Sequence, residues 1–407
     1  MLQSVVDNDG SARQDRRVRR PDTSCEAELA ALDEAGLRRR LAPLGSASEG
    51  EVLIGGRRAV LLSSNNYLGL ANHPALRAAA TAAIARWGCG TGASRLVAGH
   101  MDLHAEVEAK LARFEQTEAA LLFPTGYQAN VGTIGALVGR GDHVYSDALN
   151  HASIVDGCRL SRATVHVYPH RDVRALEAEL AATPGSGRRL IVTDSVFSMD
   201  GDRAPLRALA ALADEYHTWL MIDEAHATGV FGARGAGLAD GMDEPRIVRM
   251  GTLGKALGGA GAYVAATRAV IELVVNRART FVYTTGLAPA AAATAAAALD
   301  VVAAEPERRT AVLAHADRLR TALRERGLDV RGDTQIVPVV VGDNDVASRL
   351  AEELLARGVL AHAIRPPTVP AGTARLRLSP MATHDATHIE RAIAAVAAAA
   401  ERVGLVR

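Results

Sequence analysis

The sequence predicts an α/β domain built around one buried, mostly parallel sheet, followed by a smaller α+β domain. Three observations support this prediction. Short apolar runs alternate with stretches of helical periodicity, a pattern typical of parallel sheets covered by helices. Polar residues cluster directly after several of these runs, where such sheets form their binding sites. Beyond an alanine-rich stretch, the regular alternation ends.

The chain begins with a segment unlike the rest. Residues 1–25 are polar and rich in Arg and Asp, which predicts a mobile extension. Leucines at helical spacing predict a helix over Glu26–Leu41, and Ala59–Leu62 reads as a short strand. Helices are then expected over His73–Trp87 and Asp102–Thr117.

Seven apolar runs with helices between them form the central pattern, and we expect each to be one strand of a single sheet. They are Ala120–Phe123, His143–Ser146, Val165–Tyr168, Leu190–Thr193, Trp219–Ile222, Ile247–Met250 and Ala262–Ala266.

The C-terminal part has a different composition. Leu287–Ala304 is mostly alanine, and Pro289 and Asp300 interrupt it, so a packed helix is predicted rather than a membrane span. Further helices are expected over Ala311–Arg326, Val346–Arg357 and His384–Val403, and strands over Gln335–Val341 and Arg375–Leu378. We therefore expect four parts: an extension (1–25), a helix and strand segment (26–60), a large domain (61–290), and a linking helix with a small domain (291–407).

Composition excludes several classes of protein. Basic and acidic residues balance at 46 each, which gives no electrostatic reason to expect nucleic acid or a membrane as partner. The three cysteines lack a CxxC pattern, so a zinc site or disulfide framework is not indicated. The start of the chain lacks the apolar region of a secretory signal, and the expected compartment is the cytoplasm.

Lys255 is one of only two lysines in a chain that otherwise uses arginine for positive charge. It lies among glycines and small residues. A lysine amine can lose its proton and condense with an aldehyde, whereas a guanidinium cannot. The other lysine, Lys110, follows Glu106 by four residues in a helical stretch, so a surface ion pair explains it.

Asp223 follows an apolar strand and is expected at the carboxyl end of the sheet, where a carboxylate is costly unless paired. It could cap a helix, face a cationic nitrogen, or bind a metal together with Asp194 and His151. The spacing does not decide among these roles.

Pyridoxal phosphate would explain several of these residues together. The cofactor needs an acid beside its pyridine nitrogen, a lysine for its aldehyde, backbone N–H groups for its phosphate and a flat surface for its ring. Asp223, Lys255, the Gly126–Tyr127 turn and His151 could supply these in that order.

Three motifs resemble the α-oxoamine synthases, which are fold-type I pyridoxal-phosphate enzymes with an aspartate aminotransferase-like fold. They are Thr193–Asp202, Asp223–Gly229 and Gly254–Lys255, and the resemblance runs from about Glu26 to the C-terminus. It implies an acyltransferase that joins an amino acid to an acyl thioester with loss of carbon dioxide.

The resemblance also implies roles for individual residues. Lys255 would bind the cofactor's aldehyde and act as general base, Asp223 would pair with the ring nitrogen, and His151 would stack on the ring. Further cofactor contacts are expected from His226, Ser198, Gly126, Tyr127, Thr252, Thr284 and Thr285. Thr284 and Thr285 match a segment that reaches the phosphate of a neighbouring subunit, which implies a homodimer with shared sites.

Substrate residues follow from the same resemblance. Arg377 would hold the amino acid carboxylate with Asn65 and His151 nearby, while Arg38 and Thr368 match positions that contact the acyl substrate. The segments Leu37–Arg40 and Ile364–Leu378 most resemble family members that join L-alanine to pimeloyl-CoA or a pimeloyl-carrier protein.

Two alternatives remain open at this point. The chain could be a sister synthase that uses glycine or serine, including glycine C-acetyltransferase or 5-aminolevulinate synthase, because all share the cofactor site. The same fold also serves regulators that sense the cofactor, although the first 24 residues are short and polar for a DNA-binding domain.

Overall fold

The computed structural model describes residues 21–183 and 185–406. The chain divides into two units, Met1–Ala42 and Pro43–Arg407. The described part of the first unit holds one helix, α1 (Pro21–Glu34). This helix ends where Gly36 adopts a φ of 62° and the N–H of Leu37 bonds back to the carbonyl of Leu32 at 2.8 Å.

The predicted helix over Glu26–Leu41 is therefore wrong at both ends. Residues 21–25, expected within the mobile extension, form the first turn of α1, and Leu41 lies beyond its end and is fully exposed. Residues 1–20 of that extension lie outside the described residues.

The second unit carries the described strands, which are short and mostly apolar. In chain order they are β1 Glu51–Ile54, β2 Arg57–Leu61, β3 Ala119–Phe123, β4 His143–Asp147, β5 Thr164–Tyr168, β6 Arg189–Asp194, β7 Trp219–Asp223, β8 Ile247–Thr252, β9 Ala262–Ala266, β10 Val337–Gly342, β11 Val359–Leu360, β12 His362–Ile364 and β13 Ala374–Leu378.

The described helices of this unit alternate with those strands. They are α2 Pro74–Trp87, α3 Asp102–Glu115, α4 Gly126–Leu137, α5 Ala152–Ser161, α6 Val173–Ala182, α7 Leu206–Glu215, α8 Arg268–Arg277, α9 Arg279–Val282, α10 Pro289–Ala304, α11 Glu307–Arg324, α12 Asn344–Ala356 and α13 Ala386–Arg402.

One seven-stranded sheet organises the unit, with strand order β3-β9-β8-β7-β6-β4-β5. Neighbouring strands from β8 to β5 are parallel, and β9 alone runs antiparallel to both of its neighbours. Every one of the seven predicted runs lies within one of these strands. The predicted mostly parallel sheet is confirmed.

The centre of the sheet is buried on both faces. All residues of β8 and β9 and all but the first of β7 are buried, as expected for strands covered by helices on either side. At the edge, β5 leaves Val165 and Val167 exposed. Packing on both faces therefore fixes the carboxyl ends of the central strands in place.

Two smaller sheets join distant parts of the chain. In one, β2 pairs with β1 and, in parallel, with β11; in the other, the order is β10-β13-β12. The sequence prediction missed β1, β11 and β12 because each has only two to four residues. The predicted domain boundary near residue 290 falls at the start of α10, and the division into domains stays a proposal.

The alanine-rich helix α10 packs against α2 and α3. Lys110 on α3 reaches Asp300 on α10 at 2.6 Å and donates to the carbonyl of Ala296 at 2.8 Å. The predicted partner, Glu106, was wrong, because α10 offers both a carboxylate and a carbonyl. None of the described helices combines the length and apolar character needed to cross a membrane.

Gly258 closes the turn that carries Lys255. Its N–H bonds to the carbonyl of Lys255 at 2.9 Å, and its φ of 66° is left-handed. A Cβ at this position would lie 2.5 Å from the backbone of both Leu70 and Ala71. Backbone conformation and close packing therefore both require glycine here.

We predict that Gly258→Ala lowers the free energy of unfolding by about 2–5 kcal/mol, since it adds overpacking to left-handed strain. Gly372→Ala is the matched control, because Gly372 has a φ of 75° and open space around it. The control should lose only about 1–2 kcal/mol. Urea unfolding measures both, and equal losses would contradict the close packing.

Candidate active site

Four parallel strands end in polar residues at one edge of the large sheet. These are Asp147 on β4, Asp194 on β6, Asp223 on β7 and Thr252 on β8. Since parallel strands share a carboxyl edge, these residues and the loops after them meet there. Six of the fourteen predicted site residues lie at the ends of these strands or in the loops after them: His151, Ser198, Asp223, His226, Thr252 and Lys255.

Lys255 lies half-buried in the loop after β8, with Nζ 2.9 Å from Nε2 of His226. Among the described residues no carboxylate lies within ion-pair distance of this amine. Burial lowers the pKa of Lys255 to about 8, and the charges of Asp223 and Asp194 oppose that shift while Arg377 adds to it. About a tenth of the amine is therefore neutral at pH 7, far more than for a lysine with its ordinary pKa.

Asp223 is buried and receives only neutral donors. Its Oδ2 accepts from Nδ2 of Asn130 at 2.7 Å, and its Oδ1 accepts from the N–H of Ala225 at 2.8 Å. In the part of the chain that the structure describes, no cationic side chain pairs with it. A buried carboxylate without a cationic partner is costly, and a bound cationic group would relieve that cost.

Asp194 lies directly beside Asp223 across the β6–β7 pair. Its Oδ2 accepts from the N–H of His151 at 2.8 Å, and its own N–H donates to Oδ1 of Asn150 at 3.0 Å. Burial and the charge of Asp223 raise the pKa of Asp194 well above its usual range. Asp194 thus positions the His151 backbone.

His226 is buried and contacts Lys255 through one nitrogen and Tyr67 through the other. Nδ1 lies 2.7 Å from the hydroxyl of Tyr67, and the backbone carbonyl accepts from Nε2 of Gln335 at 2.6 Å. Burial and the charges of Lys255 and Arg377 hold the pKa of His226 well below its ordinary value. The imidazole is neutral.

His151 precedes α5 and caps its N-terminus. Nδ1 accepts from the N–H of Ser153 at 3.2 Å, while the outer part of the ring remains exposed. Partial loss of hydration lowers the pKa of His151, with Lys255 adding to the shift and Asp223 opposing it. A neutral, accessible ring suits the predicted stacking role.

The N-terminus of α4 faces open space. Thr125 caps it by accepting from the N–H of Gln128 at 3.1 Å, and the N–H groups of Gly126 and Tyr127 have no intrahelical acceptor. A Cβ on Gly126 would meet only the methyl of Met250, at 3.8 Å. This turn can bind a phosphate.

Thr284 lies near the same turn, with its Oγ1 3.3 Å from Nε2 of Gln128 in the same chain. Thr285 is exposed and forms a backbone bridge with Ser94. Thr252 is buried, and its Oγ1 accepts from the N–H of Gly254 at 3.3 Å. The predicted phosphate residues thus lie on α4, β8 and the segment after α9.

Arg377 on β13 brings a buried guanidinium to the site. It donates to the carbonyl of Ser198 at 2.5 Å, to Oγ of Ser379 at 2.9 Å and to the hydroxyl of Tyr67 at 2.9 Å. Tyr67 in turn donates to Oδ1 of Asn65 at 3.1 Å. Within the described ranges Arg377 has no carboxylate partner, and two of its five N–H donors remain for a substrate carboxylate.

The two residues predicted to contact the acyl substrate, Arg38 and Thr368, belong to different units of the chain. Arg38 belongs to the first unit, where it pairs with Asp33 at 2.5 Å. Thr368 is exposed in the loop between β12 and β13, and its N–H bonds to the carbonyl of Arg365 at 3.1 Å. The acyl-substrate role of both stays a prediction.

Several contact residues were missed from the sequence. Tyr67 lies two positions after Asn65, and no role was assigned to it from the sequence. Asn130 lies one helical turn after Gly126 on α4, and that spacing could have indicated an amide on the same face as the predicted phosphate turn. No sequence pattern indicated a role for Gln335, because its side chain donates to the backbone carbonyl of His226 and a backbone contact leaves no mark on residue type.

The site fits pyridoxal phosphate. Asp223 is an acid without a cation, Lys255 is an amine without a carboxylate, and Gly126 begins a helix with free N–H groups. In residues 21–183 and 185–406, no group of three or more His, Cys, Asp or Glu side chains is arranged to hold a metal ion.

Comparison with known proteins identifies the family. A family model described as aminotransferase class I and II matches residues 57–396, well over half of the chain. The chain belongs to the aminotransferase class I and II family. Its fold is that of fold-type I pyridoxal-phosphate enzymes, and the predicted resemblance to the α-oxoamine synthases is confirmed.

Curated relatives of this aminotransferase-family chain share most of its length. One from Geobacter sulfurreducens, named 8-amino-7-oxononanoate synthase, is 54% identical over 388 residues, covering 94% of this chain and 99% of the relative. Another of that name, from Anaeromyxobacter dehalogenans, is 55% identical over 375 residues, covering 91% and 94%.

Solved structures agree on the architecture. A lysine-to-alanine variant of serine palmitoyltransferase from S. paucimobilis, with bound PLP–myriocin aldimine, is 32% identical to this chain with a TM-score of 0.88. The match covers 94% of this chain and 98% of that one.

His170 links the loops beside the site. Its Nδ1 contacts Oδ1 of Asp147 and its Nε2 contacts Oδ2 of Asp202, both at 2.9 Å, and its ring packs edge-on against Phe197. Burial alone would lower the pKa of His170, but the two carboxylates raise it to about 9. Its charged form therefore ties the loop that carries Ser198 to the end of β4.

We predict that His170 stabilises the fold in a pH-dependent way. Because its folded pKa of about 9 exceeds the unfolded value of 6.5, its contribution is present below pH ~6.5 and is lost as the pH rises through ~9. His170→Gln should remove about 1–3 kcal/mol near pH 6 and little above pH 9.

Chemical denaturation at several pH values measures this difference. His388→Gln removes another histidine–carboxylate contact, to Asp385 at 3.0 Å on the surface, and serves as the control. Parallel stability curves for wild type and His170→Gln across this range would contradict the prediction.

Proposed function

We propose that the protein joins L-alanine to a pimeloyl thioester, with loss of carbon dioxide, to give 8-amino-7-oxononanoate. The acyl group would come from pimeloyl-CoA or a pimeloyl-carrier protein, and pyridoxal phosphate would be the cofactor. The observation that carries this proposal is the amine of Lys255, held half-buried beside the unpaired carboxylate of Asp223. The curated relatives, 54% and 55% identical, supply the choice of reaction and substrates.

The cofactor would be held by residues from several loops. Gly126 and Tyr127 would bind its phosphate with Thr252, and His151 would cover its ring. Asp223 would keep the ring nitrogen protonated. When bound, pyridoxal phosphate supplies an aldehyde that takes up amines and a protonated ring that withdraws electrons from the neighbouring carbon.

Arg377 would bind the carboxylate of alanine through its remaining N–H donors, since a planar guanidinium matches a carboxylate in two parallel hydrogen bonds. Asn65, in the segment after β2, would lie close to the same carboxylate. The Ser198 carbonyl and Tyr67 hold the guanidinium in place. The bound amino acid is then oriented with its Cα proton accessible to Lys255.

Lys255 would act as the general base. Its pKa of about 8 leaves neutral amine available to accept the Cα proton. A bond then forms between Cα and the acyl carbonyl carbon. The C–S bond breaks, and the thiol leaves with the proton that Lys255 had accepted. The carboxylate carbon departs as carbon dioxide, and Cα takes up one proton from solvent to complete the aminoketone. His226 and Ser198 would hold the phenolic oxygen of the cofactor.

A homodimer with shared sites is part of this proposal. Tyr283, beside Thr284 and Thr285, is 72% exposed, and Val97 is 80% exposed. The Ser94–Thr285 bridge brings these two segments together. Exposed apolar side chains at one place favour an interface with another subunit, from which Thr284 and Thr285 could reach the partner's phosphate site.

A serine-using sister enzyme is the second candidate. It is favoured by the serine palmitoyltransferase structure, with its TM-score of 0.88. The two candidates share Lys255, Asp223 and Arg377, so the cofactor site does not separate them. The higher identity of the 8-amino-7-oxononanoate synthases favours alanine.

Mass spectrometry of the products tests the proposal. The cofactor-loaded protein should convert L-alanine and pimeloyl-CoA to 8-amino-7-oxononanoate at a kcat/KM at least about ten-fold higher than with glycine or serine, a modest difference for one small side-chain group. Palmitoyl-CoA with serine is the matched comparison. Faster turnover of that pair would overturn the assignment in favour of the sister enzyme.

A further inference from the structure

Asn130 is a buried residue on α4 whose side chain joins two residues of the proposed site. It is 1% exposed, and its Nδ2 donates to Oδ2 of Asp223 at 2.7 Å and to Oγ of Ser153 at 2.9 Å. Its Oδ1 has no hydrogen-bond partner in the part of the chain that the structure describes. All hydrogen bonds of this side chain therefore run through its two N–H groups.

The neighbouring carboxylate fixes the orientation of this amide. Exchange of the amide oxygen and nitrogen would place Oδ1 of Asn130 against Oδ2 of Asp223, where two acceptors would face each other. The nitrogen therefore faces Asp223 and gives it one hydrogen. The second hydrogen goes to Oγ of Ser153 and occupies one lone pair of that hydroxyl.

Ser153 in turn contacts the imidazole of His151. Its Oγ lies 2.7 Å from Nδ1 of that ring, and its backbone N–H donates to the same nitrogen at 3.2 Å. Because Asn130 already donates to Oγ, the hydroxyl hydrogen is directed at Nδ1. Nδ1 accepts both bonds, so the neutral imidazole carries its hydrogen on Nε2. Among the described residues the ring's only hydrogen bonds are these two, which leaves the Nε2–H available.

We propose that Asn130 is a positioning residue that commits the Ser153 hydroxyl to Nδ1 of His151 and so keeps the hydrogen of that imidazole on Nε2. This role rests on the proposed function, in which His151 covers the cofactor ring near the amino acid carboxylate. An Nε2–H is a donor that this carboxylate can accept from. Since the same amide also holds Oδ2 of Asp223, one side chain orients both groups that would face the ring.

The charged and titratable groups around His151 are not the ones that the test changes. They are Asp223 and Lys255, whose charges act on the ring, Asp194, which accepts the backbone N–H, and the neighbouring His226. Asn130 and Ser153 carry no charge, so their removal takes no charge from the site. A change in the titration of His151 would therefore report on the hydrogen bonds at Nδ1.

Hydrogen–deuterium exchange at the imidazole C2 position tests the proposal on the full-length, cofactor-loaded protein without substrate. The exchange rate of each histidine follows its protonation, so a pH series gives a midpoint for each ring. Cleavage after Arg140 and Arg159 yields one peptide that contains both His151 and His143, and fragment ions separate the two. His143 begins β4, at the opposite edge of the sheet, and serves as the internal reference.

In the wild-type protein the His151 midpoint should lie below the ordinary 6.5, since donors at Nδ1 favour the neutral ring. In Asn130→Ala the freed Oγ of Ser153 can accept from an Nδ1–H, which favours the charged ring. The His151 midpoint should then rise by about one pH unit, the size of one hydrogen bond. The midpoint of His143 should not move.

Two further variants sharpen this test. Ser153→Ala keeps the bond from Asn130 to Asp223 but removes the hydroxyl donor at Nδ1, so it should also raise the His151 midpoint. It carries the test if Asn130→Ala does not fold by circular dichroism. Thr133→Val is the matched control, because it removes from the next turn of α4 a buried hydroxyl that has no partner among the described residues. This control should leave both midpoints unchanged.

An unchanged or lowered His151 midpoint in either folded variant would overturn the proposal, as would a wild-type midpoint at or above 6.5. An equal rise in Thr133→Val would also overturn it, because the shift would then be a general effect of loosening α4. These failures are distinguishable from failure of the proposed function. The exchange measurement needs no turnover, whereas the function is tested by the product that the wild-type protein forms.

Discussion

The site depends on the cost of burying one amine and two carboxylates together without a direct ion pair between them. Lys255 contacts a neutral histidine, and Asp223 receives only an amide N–H and a backbone N–H. Hydrogen bonds from neutral donors hold these groups but do not neutralise them. Burial therefore lowers the pKa of the Lys255 amine against the opposing charges of Asp223 and Asp194, and the Asp223 carboxylate stays available to a cationic ring.

The fold supports this arrangement from two directions. The parallel strands β6, β7 and β8 bring Asp194, Asp223 and Thr252 to one rigid edge. From the C-terminal part, Arg377 and Gln335 reach the same edge and bond to backbone carbonyls of Ser198 and His226. The edge of the sheet and the C-terminal part thus both fix the loops that would contact cofactor and substrate. Fixed loops suit chemistry that depends on orientation.

Much of the fold was predictable because long-range burial leaves a local signature. The seven strands of the large sheet are continuous apolar runs, since both faces of the sheet are covered. The two-residue strand β11 has no such signature, and it pairs with β2 about 300 positions away. The end of α1 was misplaced because Leu37 and Leu41 continue the leucine spacing after Gly36 has already turned the chain.

The site was predictable where the residue type itself limits the chemistry. A lysine among arginines and an acid after an apolar strand both indicate function, and the family motifs around them gave most of the remaining roles. Tyr67 was missed because an aromatic residue between polar turns and a leucine resembles an ordinary core residue. Lys110 shows the converse, since its ion pair with Asp300 depends on a helix that is distant in sequence.

Borohydride reduction of the cofactor-loaded protein, followed by peptide mass spectrometry, tests the central claim most directly. The account predicts that the phosphopyridoxyl mass is fixed to the peptide that contains Lys255 and is absent from the peptide that contains Lys110. An adduct on Lys110 instead, or a protein that takes up pyridoxal phosphate and carries no adduct on Lys255, would contradict it.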